Sequence, residues 1–470
     1  MSTLSAPELD DAAPSSPSET DQPSFLDGPF APVQQETVLH DLQVTGELPA
    51  ALQGVYARIG PNPMDLHAKR YHWFIGDGMV HGVRLAGGQA QWYRSRWIGS
   101  NSVNKKLGRP MAPGPRRGVS DVVNTNVFGH AGRTWAATEA GMLPVQLDGD
   151  LNTVRHGLFD STQSLPFSAH PHRDPVTSDL HAICYDARIH SKIQYVRVSQ
   201  AGAVDRVVDI PVRHGPMIHD CAITASQVVV LDLPVTFSWR RLLSRAPFPY
   251  RWRPSHGARV GLLPRDGQAA DMRWYEVDPC YVFHPCNAFD LPDGSVVMDV
   301  VAHEKMFDRS RVGPELDSGA RLERWTLPAQ GHQVLRQVLS SRSQEFPRLD
   351  ERRTGRPYRW AYTVGFGSDM AAGQPLLRHD LEQGGTQVRS FGPHAVPGEF
   401  VFVPRSEQGA EDDGWLMGLV HHLQSGKTEL HVLNADDFMG PAQAVVHIPT
   451  RIPLGFHGNW IADSGAVAPR

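Results

Sequence analysis

Long apolar runs are missing from this 470-residue chain. No unbroken stretch reaches the roughly 18 apolar positions of a membrane-spanning helix. Cysteine is scarce: Cys184, Cys221, Cys280 and Cys286 form no Cys-x-x-Cys pair, which argues against a zinc knuckle or a disulfide framework. Such usage fits a reducing compartment. The N-terminus lacks the basic start and apolar centre of a secretory signal, so a cytoplasmic location is expected, with membrane contact peripheral if it occurs. Excess positive charge is absent as well. A net charge of -5 and a pI near 6.5 give no bulk electrostatic basis for a nucleic-acid partner. Neither a Gly-x-Gly-x-x-Gly dinucleotide fingerprint nor a Cys-x-x-Cys-His haem attachment is present.

Turn formers are abundant, with 43 glycines and 38 prolines, and few segments show a convincing long helical period. Short apolar runs alternate with turns instead. Residues 54–59, 226–232, 295–301 and 428–433 each read as a strand, and Pro-Asp-Gly at 292–294 and Ser-Gly at 425–426 read as turns. Many such strands without intervening helices predict an all-β fold: a sandwich, a large barrel or a propeller. Residues 1–24, rich in Ser, Pro, Asp and Glu, are expected to be a disordered tail, with a single domain over 25–470. Residues 237–254 break the strand pattern. There Phe237, Trp239, Leu242, Leu243, Phe248, Tyr250 and Trp252 interleave with five arginines. Such a segment suits an anionic lipid surface or the mouth of an apolar pocket, and equally a surface loop whose rings tuck inward.

Four histidines sit beside apolar runs punctuated by small residues, Pro or Asp: His170, His219, His284 and His457. Their separations of 49, 65 and 173 residues do not suit a local zinc motif. They suit a closed β structure in which separate strands each deliver one ligand to a common axis. Among 23 histidines, local context alone leaves both a shared metal site and unrelated core histidines open.

A set of ordered blocks goes further. These are 54–63 (GVYARIGPNP), 71–80 (YHWFIGDGMV), 124–127 (NTNV), 168–175 (SAHPHRDP), 217–220 (MIHD) and 283–288 (FHPCNA). After them come 345–348 (EFPR), 397–399 (PGE) with 402–404 (FVP), and 455–458 (GFHG). Together they resemble the carotenoid cleavage oxygenase family, including its lignostilbene dioxygenases, from about residue 28 to 463. The resemblance implies an all-β, seven-bladed propeller capped by loops and short helices. It also implies a non-haem Fe(2+) held by His170, His219, His284 and His457, with His72, His81, His172, His214, His421 and His422 outside the ligand set. Outer carboxylates map to Glu139, Glu345 and Glu399. A carboxylate on the far nitrogen of an imidazole fixes the tautomer and ring angle and raises ligand basicity. Thr125 resembles a threonine whose methyl points to an open iron position.

The implied reaction is addition of dioxygen across a carbon–carbon double bond, giving two carbonyl products from a lipophilic polyene or aryl alkene. In the stilbene-cleaving branch a lysine precedes the first outer glutamate. Thr138 stands there, which favours a carotenoid or apocarotenoid over a lignostilbene or phenylpropanoid. A non-catalytic propeller that binds lipophiles or protein partners is the third alternative. Pro285-Cys286 after the third histidine departs from the pattern and leaves the local backbone open. Of Phe167, Phe283, Phe456 and Trp460, strand alternation sends some behind the site and others into it.

Overall fold

The computed structural model describes residues 25–65, 71–316, 318–367 and 370–463, so the expected N-terminal tail lies outside the described residues. The apolar runs read from sequence coincide, to within one residue at their starts, with parts of strands Gly54–Pro61, Gln227–Asp232, Val296–His303 and Lys427–Asn434. β-branched residues bounded by turns are what shape them. Strands Tyr281–Asp290 and Val296–His303 are buried almost throughout, without the alternation of a sheet wetted on one face. Both of their faces are covered by neighbouring sheets.

Seven antiparallel sheets are the seven blades of a β-propeller. Five are consecutive four-stranded meanders over residues 126–156, 172–211, 221–276, 281–340 and 344–389. The remaining two join the ends of the chain. Strand Gly458–Ala462 pairs with Gly54–Pro61, placing Gly458 opposite Arg58, and Val44–Gly46 pairs with Ala444–Ile448. Two such clasps close the ring and leave no open edge between its first and last blades. Apolar clusters fill the spaces between blades, with Trp135 and Trp325 fully buried.

Short elements outside the blades lie over one end of the axis. They include the 3-10 turns Gly28–Phe30 and Trp73–Ile75, the hairpin Val235–Phe237 with Tyr250–Trp252, and the helix Trp239–Leu243 between its strands. Residues 237–254 divide between burial and exposure. Phe237, Phe248, Tyr250 and Trp252 are buried, while Trp239 is 59% and Leu243 82% exposed. Among the described residues no helix is long and apolar enough to cross a membrane.

Candidate metal centre

Each blade brings one key side chain to the axis, four of them histidines and three glutamates. His170, His219 and His457 stand just before the strands His172–Arg173, Cys221–Ile223 and Gly458–Ala462, and His284 lies within Tyr281–Asp290. Glu139 follows Arg133–Ala137, Glu345 lies in Gln344–Arg348, and Glu399 bridges Ala395–Pro397 and Val401–Pro404. Ladder register shifts at 282–287 and at 345–348. Pro285 has no N–H for a ladder bond, and the irregularity falls where His284 must reach the axis. Ala140 (φ 62°) and Phe346 (φ 54°), each following a glutamate, adopt the left-handed backbone that non-glycine residues avoid.

One nitrogen from each of the four buried histidines falls in a cluster whose atoms all lie within 4.8 Å of one another. The far sides of three rings are occupied. His219 Nδ1 lies 3.2 Å from Glu139 Oε1, His284 Nδ1 2.6 Å from Glu345 Oε2, and His457 Nδ1 3.0 Å from Glu399 Oε1. These carboxylates accept protons held on Nδ1, which leaves the Nε2 lone pairs directed at one another. His219 Nε2 and His284 Nε2 are 3.3 Å apart, and the buried His170 Nε2 finds no hydrogen-bond partner among the described residues. Lone pairs gathered this way repel unless a cation sits between them. Metal–nitrogen bonds of about 2.1 Å place adjacent ligand nitrogens roughly 3 Å apart and opposed ones roughly 4.2 Å apart, which this cluster accommodates. Imidazole donors suit iron, zinc, copper and nickel, so the residues fit the implied iron.

Burial and the three neighbouring imidazoles push the His170 pKa well below its ordinary value. Burial also lowers that of His457, against the pull of Glu399. For His284, Glu345 outweighs burial and the shift is upward. Burial would raise the pKa of Glu345, but His284 and His303 hold it well below the usual carboxylate range. Glu399, similarly buried, is drawn down to about 2 by Arg348 and His457. Both carboxylates are therefore charged at neutral pH.

Two positioning residues were not evident from the sequence. His303 Nε2 donates to Glu345 Oε1 at 2.8 Å while its Nδ1 meets Ser318 Oγ at 2.6 Å. Arg58 donates to the carbonyls of Pro453 (2.6 Å) and Phe456 (3.4 Å), holding the loop that carries His457. Nothing in the local pattern distinguishes either one, although the block at 54–63 contains Arg58. The glycines around His457 are explained by close approach and not by an unusual bend, since neither Gly455 nor Gly458 has positive φ. A methyl group on Gly455 would lie 2.6 Å from Arg58 Nη2 and 2.9 Å from Gly60 Cα, and one on Gly458 would lie 2.8 Å from the Ala57 carbonyl.

The histidines that the resemblance left out of the set have other roles. His172 Nε2 pairs with Asp220 at 2.8 Å, His214 meets His256, His81 meets Tyr93, and His72 stacks on Phe248. His421 is buried in the strand Gly414–His422, whereas His422 belongs to a separate cluster.

Above the four nitrogens lies a cavity of about 650 Å³, reached by His219, His284 and His457. Phe74, Phe283, Phe346 and Phe456 line it, as do Thr125 and Thr138. Phe167 instead packs behind, against Phe159 at 5.0 Å, and Trp460 packs against an inter-blade core. The Thr125 hydroxyl donates to Asn124 Oδ1 at 2.9 Å and lies 3.1 Å from the Thr138 hydroxyl. A smaller cavity, about 110 Å³, touches His170, His284 and His457 and is lined by Asp220, Arg348 and Glu351. The histidines thus separate an apolar chamber from a polar one.

Fold and site together define a seven-bladed propeller enzyme type, with a buried four-imidazole, three-carboxylate centre below an apolar chamber. The chain belongs to the family described as retinal pigment epithelial membrane protein, whose family model matches residues 30–462, and which includes the carotenoid cleavage oxygenases. A Mycobacterium tuberculosis carotenoid cleavage oxygenase is 41% identical over 93% of this chain and 97% of its own. An Arabidopsis thaliana carotenoid 9,10(9',10')-cleavage dioxygenase is 30% identical over 93% and 90%. Among solved structures, Pseudomonas brassicacearum lignostilbene dioxygenase superposes with a TM-score of 0.84 at 27% identity, covering 94% of this chain and 99% of that one. Cobalt-substituted Synechocystis apocarotenoid oxygenase superposes with a TM-score of 0.81 at 27% identity, covering 92% and 97%.

Proposed function

We propose that this protein is a non-haem iron(II) dioxygenase that cleaves a carbon–carbon double bond of a carotenoid or apocarotenoid. The observation that carries this reading is the meeting of four imidazole nitrogens, one of them buried without a partner, at the floor of an apolar chamber. Iron(II) held by His170, His219, His284 and His457 would supply activation of dioxygen for addition across an electron-rich alkene. Both oxygen atoms leave in the two carbonyl products. The alkene supplies all the electrons, and no flavin or nicotinamide takes part.

The remaining work belongs to the chain. Glu139, Glu345 and Glu399 retain the Nδ1 protons of three ligands and fix their ring angles. Phe74, Phe283 and Phe456 meet edge to face, with Phe74 6.0 Å from Phe283 and 5.5 Å from Phe456. They give a polyene apolar contact and exclude water around the bond to be cut. Thr125 restricts access to the iron from the chamber. About 650 Å³ lies within the range of small-molecule sites that engulf their ligand. Thr138 offers no cation to a phenolate, which favours a polyene over a stilbene.

Incubating iron-loaded protein with carotenoids, apocarotenals and stilbenes, then identifying the aldehydes by mass spectrometry, tests this directly. Polyene aldehydes are expected. Aldehydes from stilbenes alone would establish the lignostilbene alternative, and none from any substrate would leave the non-catalytic one.

The chamber also lies against Trp239, Leu242, Val119 and Leu316, all exposed on the outside. An apolar rim with Arg240 and Arg245 nearby suits docking on an anionic bilayer that holds the substrate. Replacing Trp239 and Leu243 together with Ser removes apolar contact worth roughly 1.5–3 kcal/mol per side chain. Turnover of polyene dissolved in anionic vesicles should fall about tenfold or more, while turnover in detergent micelles stays near wild type. Equal loss in both would place the defect inside the chamber and not at a membrane.

A further inference from the structure

Away from the axis, a second group of metal-ligating side chains stands on the blade closed by the N-terminal strand Val44–Gly46. Glu429 is its centre. His422 Nε2 and His431 Nε2 lie 2.8 and 2.9 Å from Glu429 Oε2, and His447 Nδ1 lies 3.0 Å from Oε1. One ligand atom each from His422, Glu429 and His431 falls within a 4.8 Å group. The register explains the convergence. Glu429 pairs directly with His447 across the ladder, His431 follows two residues along on the same face, and His422 lies diagonally on the adjoining strand, where Val420 is the partner of Glu429. Three neighbouring strands therefore present three imidazoles and one carboxylate on one face, all partly buried.

Holding a single carboxylate requires one or two donors, and this one faces three rings. We propose that His422, Glu429 and His431 form a second, non-catalytic site for a divalent transition metal, zinc being the ion that best matches it. Two imidazoles and a carboxylate, with water in the fourth position, are a donor set of tetrahedral zinc, and they disfavour magnesium and calcium, which take oxygen ligands. The contacts seen here are those a metal would replace. On metal binding the proton that His422 and His431 share with Glu429 leaves Nε2 for the ring's own Nδ1 or for solvent, and the ion takes its place. His447 stands outside that group and braces the carboxylate: its Nδ1 lies 3.0 Å from Glu429 Oε1 and its Nε2 2.8 Å from the Thr45 hydroxyl. The phenyl ring of Phe391, 5.1 Å away and edge to face, helps set the angle of His431.

Position suggests the purpose. The ion would tie the strands Gly414–His422 and Lys427–Asn434, and His447 and Thr45 link them to the N-terminal clasp. The proposal does not depend on the central iron. Iron-loaded full-length protein is incubated with excess zinc chloride and desalted, and both metals are counted by elemental analysis. About one zinc per chain is expected beyond the central metal, with a rise of several degrees in melting temperature. Glu429→Gln and His431→Ala should weaken zinc binding about tenfold or more and leave iron content unchanged. His422→Gln, at a partly open position, repeats the test should either of those variants melt lower without metal. Absence of retained zinc in the wild type, or equal zinc in the variants that fold, would reduce the cluster to a hydrogen-bonded sheet face and overturn the proposal.

Discussion

Changing His284 to Ala is expected to abolish iron retention and, with it, alkene cleavage, while the propeller remains folded. His284 is the ligand most firmly tied to its surroundings. Its Nδ1 bond to Glu345 is 2.6 Å, and Glu345 is gripped in turn by His303 Nε2 and the Phe346 N–H. Removing the imidazole leaves three nitrogens for the metal and strips Glu345 of one of two histidine partners. A buried carboxylate that loses a charge-assisted partner costs about 1–3 kcal/mol or more, so a modest drop in melting temperature should accompany the loss. Iron per chain by elemental analysis and aldehyde formation should fall together. A variant that kept full iron and activity would remove His284 from the metal set, and with it the assignment of all four histidines.

The second large effect is expected of Glu399→Gln. Glu399 accepts from His457 Nδ1 and from the Gly458 N–H, both at 3.0 Å, and Arg348 Nη1 lies 3.8 Å away. A glutamine of the same shape keeps one oxygen and presents an NH2 group where the other was. If the oxygen stays with Gly458, the NH2 faces His457 Nδ1 and favours the opposite tautomer, turning a protonated Nε2 toward the metal. Either way the ligand loses its basic support. Iron affinity should fall about tenfold to a hundredfold, equivalent to roughly 1.4–2.8 kcal/mol. The KM for substrate should change little, because Glu399 acts through His457 and not on the polyene. The split between iron affinity and KM distinguishes this role from a general loosening of the fold. Unchanged iron affinity would show that the carboxylate of Glu399 does not support His457 as a ligand.

How much of this was legible beforehand differs between fold and site. The all-β class was visible in local patterns such as residues 226–232 and 295–301, because β-branched runs between turns leave few alternatives. The blade count was not visible in those patterns, and came only from the resemblance of the ordered blocks. No local signal says that Gly458–Ala462 pairs with a strand some 400 residues earlier, although that pairing closes the ring. The four histidines and three glutamates were likewise assigned by resemblance, since their local surroundings did not separate ligands from core residues. In space they converge, one to each blade. Residues 237–254 were left open between lipid-facing and inward-packed. The hairpin divides them, with rings on the strands buried and the helix between them largely exposed.

By itself the sequence determined the composition of the strands, the charge balance and the motif blocks, because these depend on composition and on residues near one another along the chain. Only the tertiary structure decided which groups act together. His303 beneath Glu345, Arg58 behind the His457 loop and the His422, Glu429, His431 and His447 cluster join residues from different strands. The physical reason is that side-chain direction in a sheet depends on register and bulges, and a shift of one residue sends the same histidine to the opposite face.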